Sequence, residues 1–171
     1  MDQQNVMRKI AIRKITLNVG AGKNEQMIGK AKVLFNKLSD GKPVATKTWK
    51  RIAGWGLRPG LEIGCKMTIR QNTTELLKRL LEANDNEISG KKFDDHGNFS
   101  FGIAEYIDVP GLGYDPDLKL MGFDIAVTLE RPGYRIKRRG IKRRKVGKKH
   151  RISKEDAINF IKETFQTTIE E

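Results

Sequence analysis

The stretch YRIKRRGIKRRKVGKKHRIS, residues 134–153, holds eleven Lys and Arg and no acidic residue. They are Arg135, Lys137, Arg138, Arg139, Lys142, Arg143, Arg144, Lys145, Lys148, Lys149 and Arg151. Ammonium and guanidinium groups at this density do one kind of chemistry well. They neutralise phosphate, and arginine adds paired hydrogen bonds to its oxygens. A solvated charged face is the ordinary account of a short charge run, but it fits poorly where no acidic residue balances the run. The formal net charge is +13 over 171 residues, and removing these eleven charges leaves +2. The basicity is concentrated, and concentrated positive charge points to a polyanion.

Chemistry of other kinds has little to work with. His96 and His150 are the only histidines and Cys65 is the only cysteine. Neither histidine sits in an HExxH or triad context, and one cysteine makes neither an internal disulfide nor a zinc cluster. GAGKNEQ (20–26) lacks the G-x-x-x-x-G-K-[ST] pattern of a phosphate loop and reads as a strand-to-helix turn. Asp94 and Asp95 are adjacent, so they do not project together from a strand; with His96 and Gly97 they read as a polar turn. No catalytic residue, metal site or cofactor is expected, so the chain is not read as an enzyme. No apolar run reaches 18 residues, and MDQQNVMRKI lacks the apolar core of a signal peptide. The expectation is a cytoplasmic protein with a nucleic-acid partner and no membrane partner.

The elements that must position these charges follow from periodicity. IAIRKITLNV (10–19) is a strand whose apolar parity slips: Ile10 and Ile12 share one face, whereas Ile15, Leu17 and Val19 share the other. Either a bulge near Arg13-Lys14 or a strand that starts at Lys14 accounts for this. Met27/Ile28, Ala31, Leu34/Phe35 and Leu38 recur at helical spacing. An extended piece, PVATKTW (43–49), leads into the glycine-rich loop KRIAGWGLRPG (50–60). LEIGCKMTIR (61–70) alternates cleanly, with Leu61, Ile63, Cys65, Met67 and Ile69 on one face. Asn72 with Glu75 reads as a capping box for a helix bearing Leu76, Leu77, Leu80 and Leu81. NFSFGIAEYI (98–107) and GFDIAVTLE (122–130) are further strands, joined by DVPGLGYDP. Ser153 with Asp156 caps a last helix bearing Ala157, Phe160, Ile161 and Phe165. Helices mixed with amphipathic strands predict an α+β domain whose helices cover one sheet face. The other face stays polar and carries Lys14, Thr16, Asn18, Lys66, Thr68 and Arg70.

KITLNVGAG (14–22), KPVATKTWKRIAGWGLRPG (42–60), IGCKMTIR (63–70), FDDHGNFSFGIAEYI (93–107) and GFDIAVTLERPG (122–133) together resemble the L-five family of large-subunit ribosomal proteins, carriers of 5S rRNA. The resemblance runs over about residues 8 to 165. ERPGYRI and KHRISKEDA resemble its archaeal and eukaryotic branch, and the long N-terminal helical extension of bacterial members has no counterpart. The resemblance implies a single domain over 1–171: a five-stranded antiparallel sheet with helices on one side. Loops 50–60 and 131–152 would project, the second as an extended basic loop. It implies a structural role in the central protuberance, with 5S rRNA, the large rRNA, P-site tRNA, a small-subunit head protein and other central-protuberance ribosomal proteins as partners. The 5S-facing residues it implies are the six of the polar face. It places the loop with Lys50, Arg51, Gly54, Trp55 and Arg58 near the tRNA. Two readings stand for Trp55: it stacks on a nucleotide or anchors the loop on its own sheet. The basic segment, interrupted by Gly140 and Gly147, is expected to be mobile in the free protein and to meet RNA phosphates. The competing reading is a nonspecific DNA- or RNA-binding protein acting through that segment alone.

Overall fold

The computed structural model describes residues 5–170. Residues 1–4, which begin MDQQNVMRKI, and residue 171, the far end of the expected domain, lie outside the described residues. The elements in order are β1 (Ala11–Gly20), α1 (Glu25–Leu38), β2 (Val44–Lys47), β3 (Glu62–Ile69), α2 (Thr73–Glu82), β4 (Glu87–Ser89), β5 (Phe99–Ile103), β6 (Phe123–Glu130), α3 (Arg135–Arg138), α4 (Lys154–Phe165) and β7 (Thr168–Glu170). The main sheet is antiparallel throughout, in the order β2-β3-β1-β6-β5. This is the α+β architecture that the periodicity predicts, with the five-stranded antiparallel sheet that the resemblance implies.

One face of the sheet is dry. Ile15, Leu17 and Val19 of β1, Cys65, Met67 and Ile69 of β3, and Ile125, Val127 and Leu129 of β6 are all buried. Ile28, Ala31, Leu34, Phe35 and Leu38 of α1 and Leu76, Leu77, Leu80 and Leu81 of α2 join them in one cluster. Each large aliphatic or aromatic side chain among them contributes about 1.5–3 kcal/mol by leaving water, before entropy is subtracted. Ala157 and Ile161 bring α4 to the same cluster. The parity slip in β1 is a bulge, since its register with β6 shifts between Ile12 and Lys14.

Two helix starts behave differently. Ser153 makes the full capping box with Asp156 at the head of α4. The box expected at Asn72 and Glu75 does not form. Asn72 stands at φ 49°, ψ 32°, and its side chain makes no cap bond. The chain leaves β3 through a tight reversal, and the left-handed backbone it needs there takes asparagine out of capping geometry. The strand expected over 98–107 stops at Ile103, because residues Tyr106–Asp108 coil into a 3-10 turn and bury Tyr106. Its hydroxyl accepts the Asp115 N–H at 2.8 Å and so holds the 108–116 connection. The parallel pair β4–β7 is too short to show an alternation in the sequence.

Candidate nucleic-acid interface

The open face of the sheet is built by cross-strand register. Thr16 pairs with Thr68, and Asn18 with Lys66, across β1 and β3. Lys14 lies opposite Thr128, Thr16 opposite Ala126 and Asn18 opposite Asp124 across β1 and β6. Asn18, Lys66 and Arg70 are exposed, and Lys14, Thr16 and Thr68 are half-buried among their neighbours. The six residues expected on one face therefore share it. The face also continues onto β5. Ser100 and Gly102 of β5 lie beside Ala126 and Asp124. Small side chains make that half shallow, and Asp124 puts an unpaired carboxylate on it, with no ion pair among the described residues.

At one end the face runs into the basic segment. Lys14 and Arg70 from the sheet line a cleft of about 770 Å³ together with Arg143, Arg144 and Lys145. Arg13 lines it too. Consecutive residues of a regular strand point to opposite faces; the bulge re-aims the backbone so that Arg13 and Lys14 serve the same cleft.

The segment itself is coiled rather than drawn out. α3 ends before Gly140, and a 3-10 turn at Lys148–His150 begins after Gly147. Val146 and Ile152 are buried, the Arg144 N–H donates to the Ile136 carbonyl at 3.1 Å, and Arg139 Nε donates to the Lys142 carbonyl at 2.9 Å. The base is clamped. Arg131, with 11% of its side chain exposed, donates from Nη1 to the Arg151 carbonyl at 3.0 Å and from Nη2 to Asp156 Oδ2 at 2.9 Å. Tyr134 Oη donates to the His150 carbonyl and accepts the Ile152 N–H. These contacts hold both ends of the segment. All eleven cationic residues are exposed, and among the described residues only Arg138 has an ion pair, to Glu130 at 2.9 Å. The other ten charges face solvent without a carboxylate partner, as a phosphate-binding surface requires.

The loop between β2 and β3 is a third cationic feature. The Thr48 N–H donates to the Leu61 carbonyl and the Gly60 N–H to the Thr48 carbonyl, which closes its base, and Ile52 bridges Leu57 near the tip. Gly56 and Gly60 stand at φ 61° and φ 86°, where a side chain is strained; Gly54 does not, and it meets open space. Lys50, Arg51 and Arg58 are exposed. Trp55 is 69% exposed, so it is not packed on its own sheet. Trp49, at 92% exposed, is barer still, and Lys23 reaches the loop beside Gly56. In the sequence the one sign of either is the position of Trp49 directly before Lys50-Arg51.

Residues 62–160 match the C-terminus of the ribosomal L5 family, and residues 5–58 match Ribosomal protein L5. The chain belongs to the ribosomal protein L5 family. It is 44% identical over 168 residues to the large ribosomal subunit protein uL5 of Sulfolobus acidocaldarius, covering 98% of this chain and 94% of the relative. To the uL5 of Nanoarchaeum equitans it is 49% identical over 162 residues, covering 94% and 95%. To that of Nitrosopumilus maritimus it is 41% identical over 167 residues, covering 97% and 96%. The L5 family is structural rather than enzymatic. Its two matched regions do not separate in space. β1 and β2 come from the first and β3, β5 and β6 from the second, and they alternate in one sheet.

Proposed function

We propose that this chain is the 5S rRNA-binding constituent of an archaeal-type large ribosomal subunit. Membership of the L5 family makes it a structural ribosomal protein, and the cytoplasmic ribosome its place. The finer reading rests on one observation. The open sheet face, with Thr16 against Thr68 and Asn18 against Lys66, runs directly into a cleft whose cations include Arg143, Arg144 and Lys145, none with a carboxylate partner among the described residues. Hydroxyls and amides at that spacing suit sugar edges and 2′-hydroxyls, and the cations suit the phosphates beside them. In this reading 1–171 acts as one domain and docks 5S rRNA on the large rRNA in the central protuberance. The loop with Lys50, Arg51, Trp55 and Arg58 meets P-site tRNA, and a small-subunit head protein is met across the subunit interface.

Gel-shift competition among 5S rRNA, unrelated structured RNA and duplex DNA near physiological salt, about 0.15 M, tests the core of it. 5S rRNA is expected to compete best. Equal affinity for all three would leave only nonspecific binding by the basic segment. Asn18→Ala with Thr68→Ala is expected to weaken 5S binding by about 0.5–1.5 kcal/mol per lost bond and to spare unrelated RNA. Deleting residues 52–57 is expected to remove protection of the T arm of P-site tRNA; unchanged protection takes the loop out of the tRNA site.

A further inference from the structure

We propose that the cleft between the sheet and the basic segment receives one or two unpaired nucleotides of a folded RNA, base included, rather than a stretch of duplex backbone. This rests on the RNA-binding reading above and goes beyond it. The sheet face and the basic segment become two walls of a single site.

Size is the first argument. At about 770 Å³ the cleft lies within the range that encloses a small organic molecule, about 300–1,000 Å³. A nucleotide is such a molecule; a duplex is far too wide to enter. The lining chemistry is the second. Bare phosphate needs only cations, yet the wall also carries the hydroxyl of Thr128, the amide of Asn98 and the imidazole of His96 beside the Tyr134 ring. Thr128 stands on β6, and Asn98 and His96 lie in the turn that enters β5. Asn98 Nδ2 is held by Asp94 at 2.7 Å, leaving its carbonyl oxygen without a partner among the described hydrogen bonds. Neutral donors and acceptors are what a base edge needs, and RNA presents free base edges mainly in loops and bulges.

Preorganisation is the third. Glu130 lies in the cleft lining, 2.9 Å from Arg138 Nη2 and 3.6 Å from Arg13 Nε, so one carboxylate steadies guanidinium groups from both walls. The Arg144 N–H to the Ile136 carbonyl and the Tyr134 hydroxyl to the His150 carbonyl fold the basic segment into the second wall without help from RNA.

The test uses the full chain and two RNA hairpins of one stem sequence, fully paired or carrying a two-nucleotide bulge. Wild type is expected to bind the bulged hairpin about tenfold more tightly. His96→Ala with Thr128→Val removes two polar groups and no Lys, Arg or carboxylate. It is expected to erase most of that preference while leaving affinity for the paired hairpin and its salt dependence unchanged. Thr128→Val alone, which keeps the shape, gives the same comparison should the double variant fail to fold. Equal binding of the two hairpins by wild type, or a preference untouched in a folded variant, overturns the proposal. Preference for 5S over unrelated RNA is measured alongside. Bulge discrimination without 5S preference refutes the 5S reading and keeps the cleft; 5S preference without bulge discrimination does the reverse.

Discussion

Replacing Arg143, Arg144 and Lys145 by glutamine removes three charges from the outer wall of the cleft. None of the three has a carboxylate partner among the described residues, and all are exposed, so the fold loses no ion pair. The Arg144 N–H to Ile136 carbonyl bond belongs to the backbone and survives. Each phosphate contact steepens the dependence of log K on log salt by about 0.7–0.9. If all three meet phosphate, the slope falls by about 2–3 units. Between 50 and 200 mM salt, wild type should then lose about 20–40-fold more affinity than the variant does. Fluorescence anisotropy of labelled 5S rRNA across a salt series reads this directly, with circular dichroism confirming the fold. Lys66→Ala, one charge on the open face away from the cleft, should lower the slope by no more than about one unit. A triple variant with the wild-type slope would mean that these side chains do not meet phosphate, and the coupling of sheet face and basic segment would fall with it.

Arg131→Met should loosen the base of the basic segment, since it deletes hydrogen bonds to the Arg151 carbonyl and Asp156; a loss of about 1.5–3 kcal/mol lowers Tm by about 3–12 °C, and an unchanged Tm refutes the clamp. Asp124→Asn removes the unpaired carboxylate from the open face and should raise affinity for every RNA by up to about fivefold; weaker or unchanged binding would show that the carboxylate is used in recognition. Lys37 donates a hydrogen bond to Asp115 at 2.5 Å and, with the Asp117 N–H, holds that carboxyl below its ordinary value of 3.8. The stabilisation is present above that value and is lost as pH falls through the depressed folded one. Wild type should therefore exceed Asp115→Asn in urea stability at about pH 5 and lose that advantage by about pH 2.

What the sequence showed follows from range. Alternation in 61–70 and the helical spacing of Ile28, Ala31, Leu34 and Leu38 are local, and they found the dry face, the two helices on it and, by subtraction, the six polar residues opposite. Even the bulge was visible, because a parity slip is a local signal. The cleft was not. Its walls come from Arg13, Arg70, Thr128 and Arg144, which no window of sequence holds together; only the pairing of β1 with both β3 and β6 does. Asn72 misled because a capping box is read from residue types, whereas capping needs an extended backbone and the turn there is left-handed. The charge count of the basic segment speaks for the kind of partner it meets, whereas its coil is built by the residues among and around the charges, Val146, Ile152, Tyr134 and Arg131.

The order of strands also sets a timetable. β1 is made early, yet one of its edges is completed by β6, and Ala11 finds its partner in Glu130. At about 5–20 residues per second, the nascent chain carries that open edge for about 5–25 s. Ribosomes making this protein therefore present an unfinished sheet for most of its synthesis, and only when residues past Lys145 have emerged do Lys14 and the basic segment close around a shared space. A chain cut short before β6 has neither a complete sheet nor a cleft. In the reading proposed above, the cleft's grip on RNA needs β6 and the basic segment, so the last third of the polypeptide must arrive before Lys14 can share in it.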